Sequence, residues 1–308
     1  MAVQIKLSLI LQALKLLDRF GNKKVFQLIN KIGLDSFKGH SVESLIELFS
    51  EYNNSNSAQI PIEQLKNNLD KVFKIHEDGE EFGIKELTIF HEEYPDQLRD
   101  LSSPPIILYY RGNKDCLLEN NNIAVIGSRN ANSNIIELSK EYASYLVSNN
   151  KTIVSGLAKG CDTSGHLGAL EAKGKTIAVL PCGLDDTSIT PKENLALADE
   201  ILSAGGCLVS EYPIHFKATK YTFVERDRIQ SGLSESVLIM QTTQDGGTMH
   251  TYKYAKDQNR IIACYSNNIE GDEFSGNRSI IENQKDVISV KSIQDLDQLL
   301  ISKSQTLF

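Results

Sequence analysis

The 308-residue sequence has no uninterrupted apolar run approaching the ~18 residues of a membrane-spanning helix, so no membrane span is expected. Residues 1–17 are apolar but carry Lys6, Gln12 and Lys15 at helical spacing and no small-residue cleavage site, which predicts an amphipathic helix and not a signal peptide. Cysteine is sparse and badly spaced. Cys116, Cys161, Cys182, Cys207 and Cys264 are odd in number, far apart and form no C-x-x-C pair. That excludes a zinc-site spacing and a disulfide framework and fits a reduced, cytoplasmic setting. Positive charge is not in excess either: the formal net charge is −8. A generic nucleic-acid coat is disfavoured, because phosphate binding needs local cations. The acidity is uneven, however. Residues 121–232 carry 11 Lys and Arg against 12 Asp and Glu, leaving 21 against 28 for the remainder. A confined basic patch in the central segment is compatible with that balance.

Several catalytic and nucleotide motifs are missing as well. The dinucleotide fingerprint would need glycines at 129 and 132, which are Arg129 and Asn132. Gly174-Lys175-Thr176 is not a P-loop: residue 169 is Ala169, and the triplet precedes a strand instead of opening a helix. Asp162 and His166 stand four residues apart on one predicted helix face, but no nucleophile motif accompanies them; capping and core hydrogen bonding is the plainer role. There is no metal-ligand cluster, no paired-carboxylate pattern, no internal repeat and no low-complexity tail.

What the chain does contain is a βα alternation. Three apolar runs, at 123–126, 152–154 and 176–180, are separated by segments of helical length at 134–149 and 163–173. Continuous apolar strands joined by helices predict a parallel sheet buried on both faces. Further strands are expected at 84–90, 106–110, 208–210, 237–240, 261–264 and 287–290. Helices are expected at 192–204, 223–232, 248–257 and around Leu296, Leu299 and Leu300. Ahead of them, residues 5–50 read as short helices. Ile5, Leu9, Ala13, Leu16 and Leu17 form a stripe, and Ser41 to Ser44 resembles a cap. A small bundle is one reading of this part and a helix-turn-helix gripping a nucleic-acid backbone is another. The polar stretch at 51–58 is expected to be flexible and 60–78 to be helical.

In parallel sheets ligands gather beyond the carboxyl ends of the strands, and the predicted turns there carry Gly, hydroxyl and cationic groups. Gly127, Ser128 and Arg129 leave the first strand; Ser155, Gly156 and Lys159 leave the second. Lys192 and Asn194 open the next helix, where a cation is unfavourable unless an anion visits. Arg226 and Arg228 flank Asp227, and Gly246, Gly247 and Thr248 open a later helix. These thirteen residues are the candidate phosphate-binding set. Tyr212, Phe216, Tyr221 and Phe223 are candidate base-stacking groups, with core packing as the plain alternative. Five such turns favour holding a phosphate-rich ligand over bond-breaking, with no catalytic residue, cofactor or metal expected.

The ordered motifs GSR, SGLAKGCD-x-x-x-H-x-GAL, GKTIAVLPCGLD, PKEN, LVSEYP, F-x-x-R-x-R-x-x-x-GLS, DGGT and A-x-x-x-x-R resemble those of the DNA-processing protein A family (DprA, also called Smf), over roughly residues 84–300. The resemblance implies an extended Rossmann-like, mostly parallel α/β domain at 81–308 behind a small all-α, SAM-like domain at 1–80. It implies binding of single-stranded DNA, delivery to a RecA-type recombinase in natural transformation, and a homodimer formed through the large domain. Arg129 and Lys192 match the positions that contact the DNA backbone. The sequence differs from the family pattern at Asp227 (usually Asn), Gln241 (usually Glu), Gly246 (usually Ser) and Cys161 (usually Ile), and no C-terminal winged helix is expected. A nucleotide- or nucleic-acid-sensing module of the same superfamily, for example in antiviral defence, is the alternative.

Overall fold

The computed structural model describes residues 5–55 and 59–300. Four helices come first: α1 (Leu7–Lys15), α2 (Asn22–Ile32), α3 (Val42–Ser55) and α4 (Ile62–Glu81). Ile5, Leu9, Ala13 and Leu17 are buried as the stripe requires, but Leu16 lies past the end of α1 and is exposed. Ser41 and Ser44 cap α3 reciprocally, each hydroxyl accepting the other's backbone N–H at 3.3 and 3.0 Å. Glu51 to Ser55 are not a loop but the last turn of α3. Asn53 explains this, since its side chain accepts from Ile60 N–H at 2.7 Å and donates to Ile60 O at 2.8 Å. The rest of the stretch expected to be flexible, 56–58, lies outside the described residues, as do 1–4.

The sheet follows: β1 (Lys85–Thr88), α5 (Asp96–Arg99), β2 (Ile107–Gly112), β3 (Asn122–Ile126), α6 (Ser133–Ser148), β4 (Thr152–Ser155), α7 (Cys161–Glu171), β5 (Thr176–Leu180), α8 (Leu195–Ser203), β6 (Cys207–Ser210), α9 (Lys220–Gly232), β7 (Ser236–Ile239), α10 (Thr248–Asp257), β8 (Ile261–Tyr265), α11 (Ser275–Asn283), β9 (Ile288–Val290) and α12 (Asp297–Leu300). The nine strands run in the order β1-β2-β6-β5-β4-β3-β7-β8-β9. Pairing is parallel from β6 to β9, whereas β1–β2 and β2–β6 are antiparallel. This is the mixed α/β, mostly parallel architecture expected, with α1 to α4 packed at the antiparallel edge. There Gln12 donates to Glu86 at 2.7 Å and Asn22 to Glu211 at 2.6 Å.

Alternation along β3 shows why the sheet is buried on both sides. Ile123 and Val125 join Tyr142 and Leu146 of α6, while Ala124 and Ile126 join Ile229 of α9 and Ala255 of α10. Each such side chain contributes about 1.5–3 kcal/mol relative to exposure. Two differences from the sequence expectation concern helices. The segment starting at Lys192 opens as a 3-10 turn, Lys192–Asn194, before α8 begins at Leu195. In addition, α5 and α11 lie where no helix was expected. Pro95 pre-sets the entry to α5, and Arg99 ties that region down by donating to His91 O at 2.9 Å and to Ile89 O.

One consequence of the strand order positions the site. From β3 the chain moves outward through β4, β5 and β6, then returns across the sheet through α9 to β7 on the other side of β3. The strand order therefore reverses between β3 and β7. A crevice opens beyond the carboxyl ends of strands at such a reversal.

Candidate nucleic-acid interface

The crevice is present. A cavity of about 330 Å³ lies between the loop after β3, the loop after β7 and one face of α9. Its β3 side is the turn Gly127-Ser128-Arg129. Ser128 N–H donates to Gln241 O at 2.7 Å, and Gln241 Oε1 accepts from Asn132 N–H at 2.8 Å. Gln241 thus pins both ends of the turn; its amide oxygen does what a carboxylate oxygen would do there. Arg129 is exposed and is in no ion pair or hydrogen bond among the described residues. Its guanidinium lies 4.7 Å over the Phe223 ring, a cation–π contact that parks the charge at the cavity mouth. The β7 side carries Gly246, Gly247 and Thr248 at the start of α10, together with Thr242 and Thr243.

The β4 loop is wedged against this site. Gly160 adopts φ +75°, and its Cα approaches Ser128 so closely that a Cβ would sit 2.3 Å from Ser128 O. Gly156 leaves room for Arg226: a Cβ there would meet Arg226 Nη1 at 1.6 Å. Ser155 is fully buried and donates to Val125 O at 2.7 Å, so it is part of the core and not of the rim. Asp162 accepts from Gly156 N–H at 3.1 Å and Ala158 N–H at 3.4 Å, folding the loop back onto its helix. Burial raises its carboxyl despite Arg226 and those amides. His166 turns away, its Nδ1 2.7 Å from Thr176 Oγ1, and burial lowers its pKa to about 3. Asp162 and His166 are therefore committed separately, Asp162 to the preceding loop and His166 to the core; Asp162 does not cap its helix, whose N-cap is Gly160 with no side-chain bond.

Further along the same edge, Lys159 pairs with Glu193 at 2.7 Å, both exposed; such a pair contributes little. Lys192 donates to Asp186 O at 2.6 Å and Thr187 O at 2.9 Å. The cost of a cation at a helix start is thus met by loop carbonyls without a visiting anion. Lys217 also donates to Thr187 O, at 2.6 Å. Asn194 is buried and donates to Leu157 O and Thr163 Oγ1, both at 2.8 Å, joining this segment to the β4 loop. Lys192 and Arg129 consequently share one sheet edge, on loops two strand spacings (about 10 Å) apart. Only Arg129 lines the cavity.

α9 separates the two arginines that sequence reasoning placed together. Phe223, Arg226, Asp227 and Gln230, at i, i+3, i+4 and i+7, face the cavity. Tyr221, Glu225 and Arg228 face a second cleft, with Tyr94, Tyr254 and Arg260. Arg228 is buried. It donates to Glu211, Ser103 O and Glu225 O at 2.5, 2.9 and 2.7 Å and cannot reach the rim. Burial would raise Glu211, but Lys15, Arg228 and Asn22 outweigh it and hold that carboxyl below its ordinary range. Arg226 donates to Gln230 Oε1 at 2.8 Å, and its Nε stands 3.4 Å from Asp227 Oδ1. Burial pushes the Asp227 carboxyl up to about 7 against the pull of Arg226.

None of the four candidate stacking aromatics is a fully buried core residue. Tyr221 is 69% exposed, Phe223 is half-buried under Arg129, and Tyr212 stacks on Phe216 at 4.5 Å. Gln230, Thr242, Thr243, His250 and Thr251 also line the cavity and were not foreseen. The i, i+3, i+4, i+7 spacing from Phe223 was a signal that marked Gln230. No helix among the described residues is long and apolar enough to cross a membrane.

Comparison with known proteins supplies a family. The model of DNA recombination-mediator protein A matches residues 85–300. Protein Smf of Synechocystis is 35% identical over 226 residues, which cover 72% of this chain and 56% of that protein. DNA processing protein DprA of Bacillus subtilis is 32% identical over 208 residues, covering 66% and 69%. The chain spans 56% and 64% of the length of the Synechocystis and Borreliella burgdorferi Smf proteins. The crystal structure of DprA from Streptococcus pneumoniae shares the fold, with a TM-score of 0.75 at 24% identity over 96% of this chain and 98% of that one. DNA processing protein A from Helicobacter pylori, whose structure concerns its single-stranded DNA binding mode, has a TM-score of 0.62 at 26% identity over 71% and 96%.

Proposed function

Since the chain belongs to the DNA recombination-mediator protein A family, we propose that it binds single-stranded DNA along the carboxyl edge of its parallel strands. The observation that carries this reading is Arg129. A guanidinium at a strand-to-helix turn, exposed, held over an aromatic ring and in no salt bridge among the described residues, with Asp227 near enough to feel its charge, is available for phosphate. The Ser128 hydroxyl on one side, and the Gly247 and Thr248 N–H groups at the opening of α10 on the other, add donors of the kind that receive anions, the Ser128 and Gly246 N–H groups being taken by Gln241 O and Thr243 O. Lys192, Lys159 and Lys217 extend the cationic edge away from the cavity. Arg226 supports the site from beneath, and Arg228 takes no part in it. In this reading the strand is held without being cut and is passed to a RecA-type recombinase, and two copies pair through the α/β part. A protein in this role works in the cytoplasm.

The test is fluorescence anisotropy with labelled oligo-dT at moderate salt. Arg129→Ala should weaken binding by about tenfold or more, since a hydrogen bond to a charged group contributes about 1.5–3 kcal/mol. Lys192→Ala should weaken it less, because two of its N–H groups already serve loop carbonyls. Melting temperatures should stay near that of the wild type. Wild-type binding by the double variant would defeat the proposal.

A second reading is favoured by the cavity itself, whose 330 Å³ suits one nucleotide better than a strand: a sensor of a small nucleotide. A large thermal shift with a mononucleotide, without any binding of oligo-dT, would support it instead.

A further inference from the structure

We infer that the cavity between β3 and β7 takes a guanine base, read along its Watson–Crick edge by Asp227 with Gln230 behind it. The inference rests on the single-strand reading for the source of the base but draws on a separate set of atoms. Bases handled singly by proteins are turned out of the stack and read on that edge. The guanine edge presents an acceptor, O6, then two donors, N1–H and the 2-amino group. Its complement is a donor beside two acceptors.

α9 supplies that order. Arg226 Nη1 donates to Gln230 Oε1 at 2.8 Å, which fixes the Gln230 amide so that Nε2 is its free end. Nε2 is buried and has no hydrogen-bond partner. Arg226 Nε is likewise without one, although Asp227 Oδ1 lies only 3.4 Å away, so the ion pair is not closed by a hydrogen bond. An unpaired buried donor is costly, and a ligand that satisfies it recovers that cost. Asp227 keeps a small exposed portion of its side chain on the cavity and is contacted by Thr251 and Arg226. Its oxygens retain acceptor capacity for two N–H groups. Adenine and cytosine each put an acceptor beside their amino group, and thymine flanks its single N–H with two acceptors. Each of them would set an acceptor against the carboxylate, which is repulsive once Asp227 is ionised, so the discrimination is read at pH 8, above the carboxyl's raised value of about 7. The entrance fits the remainder of a nucleotide: Arg129 over Phe223 at the mouth, and Gly247, where a Cβ would meet only open space, across from it.

The sequence gives no direct sign of this except the acidic residue between two arginines. The structure turns that residue from an obstacle on the phosphate path into a base reader, because it points into the cavity and not along the rim.

Anisotropy with oligo-dT carrying one central dG, dA or deoxyinosine tests the inference, with GMP and AMP in parallel thermal-shift assays. The dG strand should bind about tenfold tighter than oligo-dT or the dA strand, the usual discrimination of a good two-bond contact. Deoxyinosine, which lacks the 2-amino group, should lose most of that gain. Asp227→Asn should bring the dG to dT ratio near one while strengthening binding of oligo-dT, since a negative charge is removed. Equal binding of dG, dA and dT strands by the wild type would overturn the guanine assignment and leave the single-strand reading standing. If no strand binds but GMP, and not AMP, raises the melting temperature, the base pocket stands and the single-strand reading falls. If GMP also fails, both fall. Retention of the dG preference by Asp227→Asn would overturn the role of Asp227; the deoxyinosine strand tests the same contact in the unmutated protein.

Discussion

Asp227→Asn should make the protein more stable, increasingly so as pH rises. Asp227 sits on the buried, cavity-facing side of α9 with Arg226 Nε 3.4 Å away, and burial pushes its carboxyl up to about 7. Its ordinary value is 3.8. A carboxyl whose folded value is raised favours the folded state fully only below its unfolded value. That stability is lost progressively as pH climbs from about 4 through 7. Linkage with these two values gives a loss of about 2–3 kcal/mol between pH 5 and pH 8. Asparagine has the shape of the protonated acid and does not titrate. The stability gap between variant and wild type should therefore widen by about 2–3 kcal/mol over that range, or several degrees in melting temperature for a chain of this size. Calorimetry or thermal melts at pH 5, 6, 7 and 8 on both proteins read it directly, because all other titrating groups are shared. Parallel curves would refute the reasoning, showing that Asp227 titrates in the ordinary acidic range and that its burial is relieved by something other than Arg226.

Other outcomes follow from the same geometry. Arg228→Ala should cost about 3–5 kcal/mol of stability, seen in urea unfolding, since it strips a buried charge partner from Glu211; a loss under about 1 kcal/mol would contradict the pairing. Gly156→Ala should cost about 1–3 kcal/mol, because its Cβ displaces the buried Arg226 guanidinium. Thermal melts of Gly156→Ala matching the wild type would show that Arg226 has another place to go.

Much of the architecture was legible because buried parallel strands announce themselves. The runs 123–126, 152–154 and 176–180 became β3, β4 and β5 with shifts of a residue at their ends. Pairing was less legible. β1 and β2 read as strands, but nothing local said that β2 would lie antiparallel to β6, a contact between residues about a hundred positions apart. α11 was missed because its only buried apolar side chain is Ile280, too little to make a period. At the site, the turn Gly127-Ser128-Arg129 and the opening of α10 were found from their position at strand ends. Arg226 and Arg228 were grouped by adjacency, yet two residues on a helix point to nearly opposite sides, and the periodicity itself separates them. Ser155 and Asn194 carried the right chemistry, but their hydrogen-bonding capacity is consumed by Val125, Leu157 and Thr163, which only the tertiary structure could show.

The central claim, that one sheet edge holds a polyanion through Arg129 and its neighbours, is tested most directly by the salt dependence of single-strand binding. Affinity for oligo-dT should fall linearly on a log–log plot against salt, and Arg129→Ala should reduce the slope by about 0.7, one single-strand phosphate. A salt-independent affinity, or an unchanged slope in Arg129→Ala, would contradict it.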